Sequence, residues 1–173
     1  ILIEQYKSLS LHQNVSNGDR FFWNTTTGWM MWNYALGSLL CGAKLCLYDG
    51  AANYPDIGVQ WRFAKEAQIN HFGNGSPLFI ATMKQNIKDV NEIELPKLKT
   101  IGATGSPLSE DAFIWLQNKL PKTQIISLSG GTDVCSAFIG GCTMLPVYSG
   151  YLQCNMLGAA IEAWDENKKS ILN

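Results

Sequence analysis

The sequence has no excess of charge of either sign and no long uninterrupted apolar run. Lys plus Arg number 13 and Asp plus Glu number 14, which leaves a formal net charge of −1. A nucleic-acid-binding surface normally needs a basic excess, and this chain has none. The longest apolar stretch, residues 29–41, is broken by Asn33, Gly37 and Ser38 and is too short to span a bilayer. We therefore expect no nucleic-acid partner and no membrane partner.

The cysteines do not form a recognisable pattern. Their number is odd and no pair has the spacing Cys-x-x-Cys, so a structural zinc site and a disulfide framework are not expected. Buried, reduced cysteines of a cytoplasmic protein are the simplest interpretation. The five are Cys41, Cys46, Cys135, Cys142 and Cys154.

Histidines are few, and a dinucleotide-binding glycine pattern is missing. The chain has two histidines, and we expect His71 to be a hydrogen-bonded core residue and His12 to lie on a solvated face, neither with a catalytic role. A dinucleotide-binding fingerprint would need Gly-x-Gly-x-x-Gly after the first strand, where residues 24–29 contain only Gly28. This excludes a Rossmann-type dehydrogenase.

The ends of the chain suggest a longer protein. The sequence starts without Met and stops just after residues 164–170, which resemble a hairpin turn with a strand beginning beyond it. We expect residues 1–173 to be an interior piece whose partner domains belong to the same longer chain. At this length one sizeable core is possible.

Short apolar runs alternate with helical patterns over residues 1–136. This order predicts an α/β fold with a largely parallel sheet flanked by helices, followed by a more β-rich segment over residues 137–173. Predicted strands cover residues 20–23, 44–48, 69–72, 98–102 and 124–128, and predicted helices cover residues 29–41, 56–66, 76–86 and 109–120.

Four of these strands end in loops of small or hydroxyl-bearing residues: 24–28, 73–76, 103–106 and 129–133. In a parallel sheet these loops share one rim, where small residues allow a nucleotide to approach the backbone closely. The alternative is that they are short turns required by the fold. The last loop adds the Thr132 hydroxyl, which could contact phosphate, and the Asp133 carboxylate, which could bind a metal ion. The alternative is a tight turn in which Asp133 is a turn or cap residue.

Six blocks together resemble the acyl-adenylate-forming (AMP-binding) superfamily and, within it, the branch that activates acetoacetate. The blocks are residues 25–33 (TTTGWMMWN), 47–50 (LYDG), 104–108 (TGSPL), 129–133 (SGGTD), 145–150 (LPVYSG) and 162–165 (EAWD). The resemblance implies part of the N-terminal domain of an enzyme that joins a carboxylate to ATP with Mg²⁺, releases pyrophosphate, and then transfers the acyl group to coenzyme A.

The resemblance also implies roles for individual residues. Gly105, Ser106 and Pro107 match the loop that packs against adenine. Gly131 and Thr132 match the phosphate-contacting segment, and the Thr132 hydroxyl contacts the α-phosphate. Asp133 matches a position that is usually glutamate and helps to hold Mg²⁺, so Thr132 and Asp133 are the expected catalytic residues. Because aspartate is one methylene shorter, the metal must lie closer or be reached through water.

For the acid pocket the resemblance implies Trp29, Met30, Met31, Thr104 and Gly130. The related acetate enzymes have a tryptophan at the position of Gly130, so glycine implies space for a longer acid. Thr104 is expected to hydrogen-bond the keto oxygen of a β-keto acid, which would discriminate against analogues that lack it. The alternative is that the tryptophan and methionines belong to the core.

Several parts of the family pattern are absent. A Ser/Thr/Gly-rich phosphate loop ending in lysine would precede Ile1, and the ribose-binding aspartate, the hinge and the C-terminal domain would follow Asn173. We therefore expect residues 1–173 alone to be inactive. The alternatives for the whole protein are a ligase for another short acid, such as butyrate or propionate, and a non-catalytic nucleotide-binding module.

Overall fold

A computed structural model describes residues 1–171, and its centre is a five-stranded sheet. The spatial order of the strands is β2-β1-β3-β4-β5, and every neighbouring pair is parallel. The predicted α/β class is therefore confirmed, and the carboxyl ends of all five strands lie along one edge. The strands are β1 (Arg20–Trp23), β2 (Lys44–Leu45), β3 (His71–Gly75), β4 (Thr100–Thr104) and β5 (Gln124–Ser127).

The helices cover both faces of this sheet, as buried parallel strands require. Local signals set several ends: Ser109 caps α6 by accepting the amide of Ala112, and Gly42 ends the turn after α2 in the left-handed conformation, with φ of 74°. The helices are α1 (Leu2–Tyr6), which continues as a π-helix over Lys7–His12, α2 (Met30–Gly37), followed by a 3₁₀ turn over Ser38–Cys41, α3 (Val59–Glu66), α4 (Ser76–Gln85), α5 (Lys88–Asn91) and α6 (Glu110–Lys119).

Alternation along β1 divides the apolar residues between two cores. Phe22 packs on the face covered by α3, α4 and α6, in one cluster with Trp61 and Phe72. Phe21 and Trp23 pack on the opposite face, in a cluster that also holds Leu9, Met31, Tyr34 and Ala35. Each large apolar side chain buried in this way contributes about 2 kcal/mol. The second cluster brings the start of α2 and the π-helix to the same side of the sheet.

The ends of several elements differ from those predicted. β2 stops at Leu45 rather than at Tyr48, whereas β3 continues through Gly75. Ser76 followed by Pro77 predicts Ser76 as the N-cap of α4, but Gly75 occupies that position and Ser76 is the first residue of the helix. The polar residues of segment 89–96 predict a connector, but the segment includes the end of α5 and buries Val90, Ile93 and Leu95 in the core.

The C-terminal part contains a second, antiparallel sheet of β6 (Ser129–Gly131), β7 (Ser136–Gly140) and β8 (Cys154–Asn155). It begins at Ser129, inside the stretch that the sequence assigned to the α/β layer. A bridge between Trp164 and Ser170 closes the predicted hairpin. The final part of the predicted β-rich segment, residues 172 and 173, lies outside the described residues.

The expectation for His71 is confirmed, and that for His12 is wrong. His71 is fully buried and pairs through Nε2 with Asp19 and through Nδ1 with Thr100. His12 is also buried: Nδ1 lies 2.8 Å from the carbonyl oxygen of Gly141, and Nε2 accepts the amide of Leu157. These long-range contacts attach the N-terminal helix to the β-rich segment, and nothing local in the sequence signals them.

All five cysteines are free, and they are half-buried rather than buried as the sequence predicted. Within residues 1–171, no helix is both long enough and apolar enough to cross a bilayer.

Candidate active site

A cavity of about 360 Å³ opens beyond the carboxyl ends of β4 and β5. Its walls are the start of α2, the loop after β4, the end of β5, strand β6 and residues 150–152 of the β-rich segment. A ligand site is expected at this edge of a parallel sheet. Ten of the eleven residues singled out from the sequence line it: Trp29, Met30, Met31, Thr104, Gly105, Ser106, Pro107, Gly130, Gly131 and Thr132.

Only some of the four loops predicted to form the rim line the cavity. The loops over 103–106 and 129–133 contribute to the wall, and Trp29 follows directly on the loop over 24–28. Residues 73–76 do not line the cavity; residues 73–75 form the end of strand β3, and Ser76 is the first residue of α4. Gly73 instead lies beneath the ring of Trp23, so its small size serves packing within the fold.

The loop after β4 is held by its backbone conformation and by one buried hydroxyl. Gly105 has φ of 84°, a conformation that favours glycine, and an added Cβ would lie 3.6 Å from the Trp29 ring. The hydroxyl of Ser76, at the start of α4, donates to the carbonyl oxygen of Ser106 at 2.7 Å. The segment assigned to adenine by resemblance is thus fixed against α4 and lies beside Trp29.

Thr104 does not have a free proton for a keto oxygen. Its hydroxyl donates to the carbonyl oxygen of Leu128 at 3.0 Å. A hydroxyl carries one donor proton, so in this geometry Thr104 can only accept a further hydrogen bond. The keto oxygen also only accepts, so Thr104 does not donate to it while the bond to Leu128 is kept.

Gly130 lines the cavity with its backbone, but the explanation from the sequence needs correction. A Cβ on Gly130 would overlap the carbonyl oxygen of Ser136 and lie 2.5 Å from Cα of Ala137. The missing side chain therefore makes room for strand β7, which pairs with β6 at this point. A tryptophan at position 130 would displace a strand before it could fill the acid pocket.

We expect Gly130→Ala to lower the free energy of unfolding by about 2 kcal/mol or more, because two backbones must separate. Gly131→Ala is the matched control, since a Cβ there has no heavy atom within 4 Å among the described residues. Thermal unfolding of the two variants in the full-length protein checks this. Equal melting temperatures for both variants would contradict the packing role of Gly130.

Thr132 and Asp133 lie in the turn that joins β6 to β7, and both are exposed. The amide of Cys135 donates to the carbonyl oxygen of Thr132 at 3.0 Å, and Cys135 has φ of 57°. The turn interpretation therefore describes the backbone correctly and leaves both side chains accessible. Thr132 reaches the cavity wall, whereas Asp133 does not line it.

The donor set for a metal ion is small. Within residues 1–171 there is no cluster of three or more His, Cys, Asp or Glu side chains that could hold a metal. Mg²⁺ is commonly bound through one or two carboxylates together with substrate phosphates and water. A single exposed carboxylate at Asp133 fits this mode of binding and does not fit an all-protein metal site.

Sequence reasoning missed several residues of the wall, including Ser8, Tyr34, Phe113, Tyr151 and Met156. Tyr34 had a local signal, because it lies one helical turn after Met30 and Met31. The other four lie on segments far away in the sequence, and only the tertiary fold brings them to the cavity.

A buried chain of hydrogen bonds positions Tyr34. Its hydroxyl donates to Gln13 Oε1 at 2.9 Å, and Gln13 Nε2 donates to Thr100 Oγ1 at 3.1 Å. Thr100 Oγ1 then lies 2.9 Å from Nδ1 of His71, whose Nε2 faces Asp19. Burial raises the pKa of the Tyr34 hydroxyl, so this group stays a neutral donor turned away from the cavity.

The hydrogen-bond chain that begins at Tyr34 ends at a charged group, the carboxylate of Asp19. Burial disfavours the ionised form of Asp19, but hydrogen bonds from the Lys99 ammonium and His71 outweigh it and lower the pKa of Asp19 to about 2. Burial lowers the pKa of His71. A neutral His71 donates from Nε2 to Asp19 and accepts at Nδ1 from Thr100, which gives every member of the chain a consistent role.

Comparison with known proteins adds family information to this geometry. The family model for "AMP-binding enzyme" matches residues 2–166. Acetoacetyl-CoA synthetases from Mus musculus and Rhizobium meliloti are 37% and 35% identical over 171 residues. Those alignments cover 98% of this chain and 25% and 26% of the relatives, so the chain spans about a quarter of their length.

Two solved structures resemble the fold. The acetoacetyl-CoA synthetase from Streptomyces lividans superimposes with a TM-score of 0.91 at 39% identity, over 99% of this chain and 27% of that structure. The anthranilate CoA ligase AuaEII superimposes with a TM-score of 0.85 over 99% of this chain and 32% of that structure. Its identity is 16%, so it supports the fold alone.

Proposed function

The chain belongs to the AMP-binding enzyme family, and from this premise we propose that it is part of an ATP-dependent acetoacetate–CoA ligase. The observation that carries the proposal is the cavity beyond β4 and β5, where the apolar start of α2 meets the Gly105 loop and the Thr132 turn. Its volume falls in the usual range for small-ligand sites. The similarity to acetoacetyl-CoA synthetases over 98% of the chain supports the choice of acid.

The proposed chemistry has two steps. The carboxylate oxygen of acetoacetate attacks the α-phosphorus of ATP, a P–O bond forms, and pyrophosphate leaves. The thiol sulfur of coenzyme A then attacks the acyl carbon, loses its proton, and AMP leaves. In an in-line displacement of this kind the protein mainly orients the reactants and stabilises charge.

Each part of the wall has a proposed role. Trp29, Met30 and Met31 hold the apolar end of the acid, and the segment 105–107 contacts adenine. The backbone at Gly131 and the hydroxyl of Thr132 contact the α-phosphate, while Asp133 holds Mg²⁺. A bound Mg²⁺ would offset charge on the phosphate oxygens.

The remaining machinery is proposed to lie in other parts of the same longer protein. The phosphate loop ending in lysine, the ribose-binding aspartate and the C-terminal domain would complete the site around this cavity. The free cysteines and ordinary charge balance favour a cytoplasmic enzyme.

The test is an acid panel with the full-length protein. We expect pyrophosphate release and CoA-thioester formation with acetoacetate at a kcat/KM about tenfold or more above that for acetate, propionate or butyrate. Residues 1–173 alone should release no pyrophosphate. A preference for butyrate or propionate would favour the other short-acid ligase. Binding of an ATP analogue without turnover of any acid would favour the non-catalytic module.

A further inference from the structure

The hydroxyl of Ser8 is a buried polar group that the proposed roles do not use. Ser8 lies in the π-helix Lys7–His12 and lines the cavity. Its side chain is 1% exposed, and its Oγ has no hydrogen-bond partner among residues 1–171. Most buried hydroxyls in folded proteins are hydrogen-bonded, so an unpaired one at a cavity wall needs a specific reason.

The local backbone does not supply that reason. A serine inside a helix commonly donates to the carbonyl oxygen four residues before it, and Ser8 makes no such bond. The π-helical turn that carries Ser8 is itself uncommon, and such turns occur frequently at functional sites. The unpaired hydroxyl and the unusual turn coincide at the cavity.

Three other residues of the wall have hydroxyl protons that are already committed within the protein. Those of Thr104, Tyr34 and Ser136 donate to Leu128, Gln13 and Glu4, respectively. Ser127 is a further buried serine of the wall, at the end of β5. Ser8 precedes Leu9 on the π-helix, and Leu9 belongs with Met31 to the second core cluster.

We propose that the Ser8 hydroxyl donates a hydrogen bond to the 3-keto oxygen of acetoacetate and so selects a β-keto acid over its saturated analogue. This inference rests on the proposed function. A keto oxygen can only accept. Ser8 has an uncommitted donor proton, and it lines the same cavity as Met30 and Met31, whose apolar side chains suit the carbon chain. A site that hydrogen-bonds its substrate discriminates strongly against an analogue lacking that group.

The experiment compares acetoacetate with butyrate, which lacks the keto oxygen, in the full-length enzyme. We expect Ser8→Ala to lower the ratio of the two kcat/KM values about tenfold or more, through loss of the acetoacetate rate. The melting temperature should not fall, because the hydroxyl makes no hydrogen bond within the described residues. Ser10→Ala, on the same π-helix but away from the cavity wall, is the matched control and should leave the ratio unchanged.

Two results would overturn the assignment. One is an unchanged ratio in Ser8→Ala while the parent enzyme prefers acetoacetate. The other is a lowered ratio in Ser127→Ala but not in Ser8→Ala. In either case the proposed function still stands. A parent enzyme that does not activate acetoacetate at all would instead remove the proposed function itself.

Discussion

Replacing Gly73 by alanine in the full-length protein is expected to destabilise the central sheet by about 3 kcal/mol or more. The reason is the ring of Trp23, which lies flat across β3 and β4. A Cβ on Gly73 would overlap Cε3 and Cδ2 of that ring, and a Cβ on Gly102 would lie 2.5 Å from its Cζ3. The ring cannot easily move away, because Phe21 and Tyr34 pack against it with centroids 6.4 and 5.5 Å away. Soluble yield and thermal unfolding measure the effect.

A double-mutant cycle tests whether the overlap with Trp23 is the cause. Trp23→Ala alone should cost about 3–5 kcal/mol, because it leaves a cavity. Adding Gly73→Ala to that variant should cost far less than in the parent, since the clashing ring is gone. Gly28→Ala, where a Cβ has no heavy atom within 4 Å among the described residues, is the control. Equal costs of Gly73→Ala in both backgrounds would show that another contact is responsible.

The sequence predicted the order of strands and helices because that order follows from local patterns. Apolar runs, the Ser109 cap and the Gly42 stop each act over a few residues, and each agrees with the structure. Element ends were less well predicted where tertiary pairing extends a strand. β3 continues through Gly75 because β4 pairs with it as far as Thr104, which the local sequence does not specify.

Small residues were the main source of error at the site. Gly73, Gly105 and Gly130 all read as space for a ligand. The structure gives three different reasons: room for the Trp23 ring, a left-handed backbone beside Trp29, and contact with strand β7. The composition of a loop does not reveal which neighbour is close, because Trp23 and β7 reach these glycines through the tertiary fold.

The role of a polar residue likewise depends on neighbours that only the tertiary fold brings close. The hydroxyl of Thr104 was visible in the sequence, but the bond to Leu128 that occupies its proton was not. Ser8 gave no local signal, and its unpaired hydroxyl is recognisable only once the cavity is formed. Resemblance identified the segments that form the wall, and the geometry then decides which donors remain available to a substrate.

Replacing Asp133 by asparagine in the full-length protein is expected to lower the rate of acyl-adenylate formation about 10²–10³-fold. Asparagine keeps the size of the side chain and removes the negative charge that would hold Mg²⁺. Asp133 is exposed in the β6–β7 turn, so the loss of a buried contact cannot explain a large effect. The Mg²⁺ concentration needed for half-maximal pyrophosphate release should rise as well, and a magnesium titration of both proteins measures this shift.

Charge and length of the side chain can be separated with a second variant. Asp133→Glu retains the carboxylate and adds one methylene, so it should stay within about tenfold of the parent rate and respond to Mg²⁺ at similar concentrations. Asp49→Asn is the control, since Asp49 is another exposed aspartate that does not line the cavity. If Asp133→Asn were slow but kept the magnesium dependence of the parent, the carboxylate would act on the turn or on the nucleotide and not on the metal.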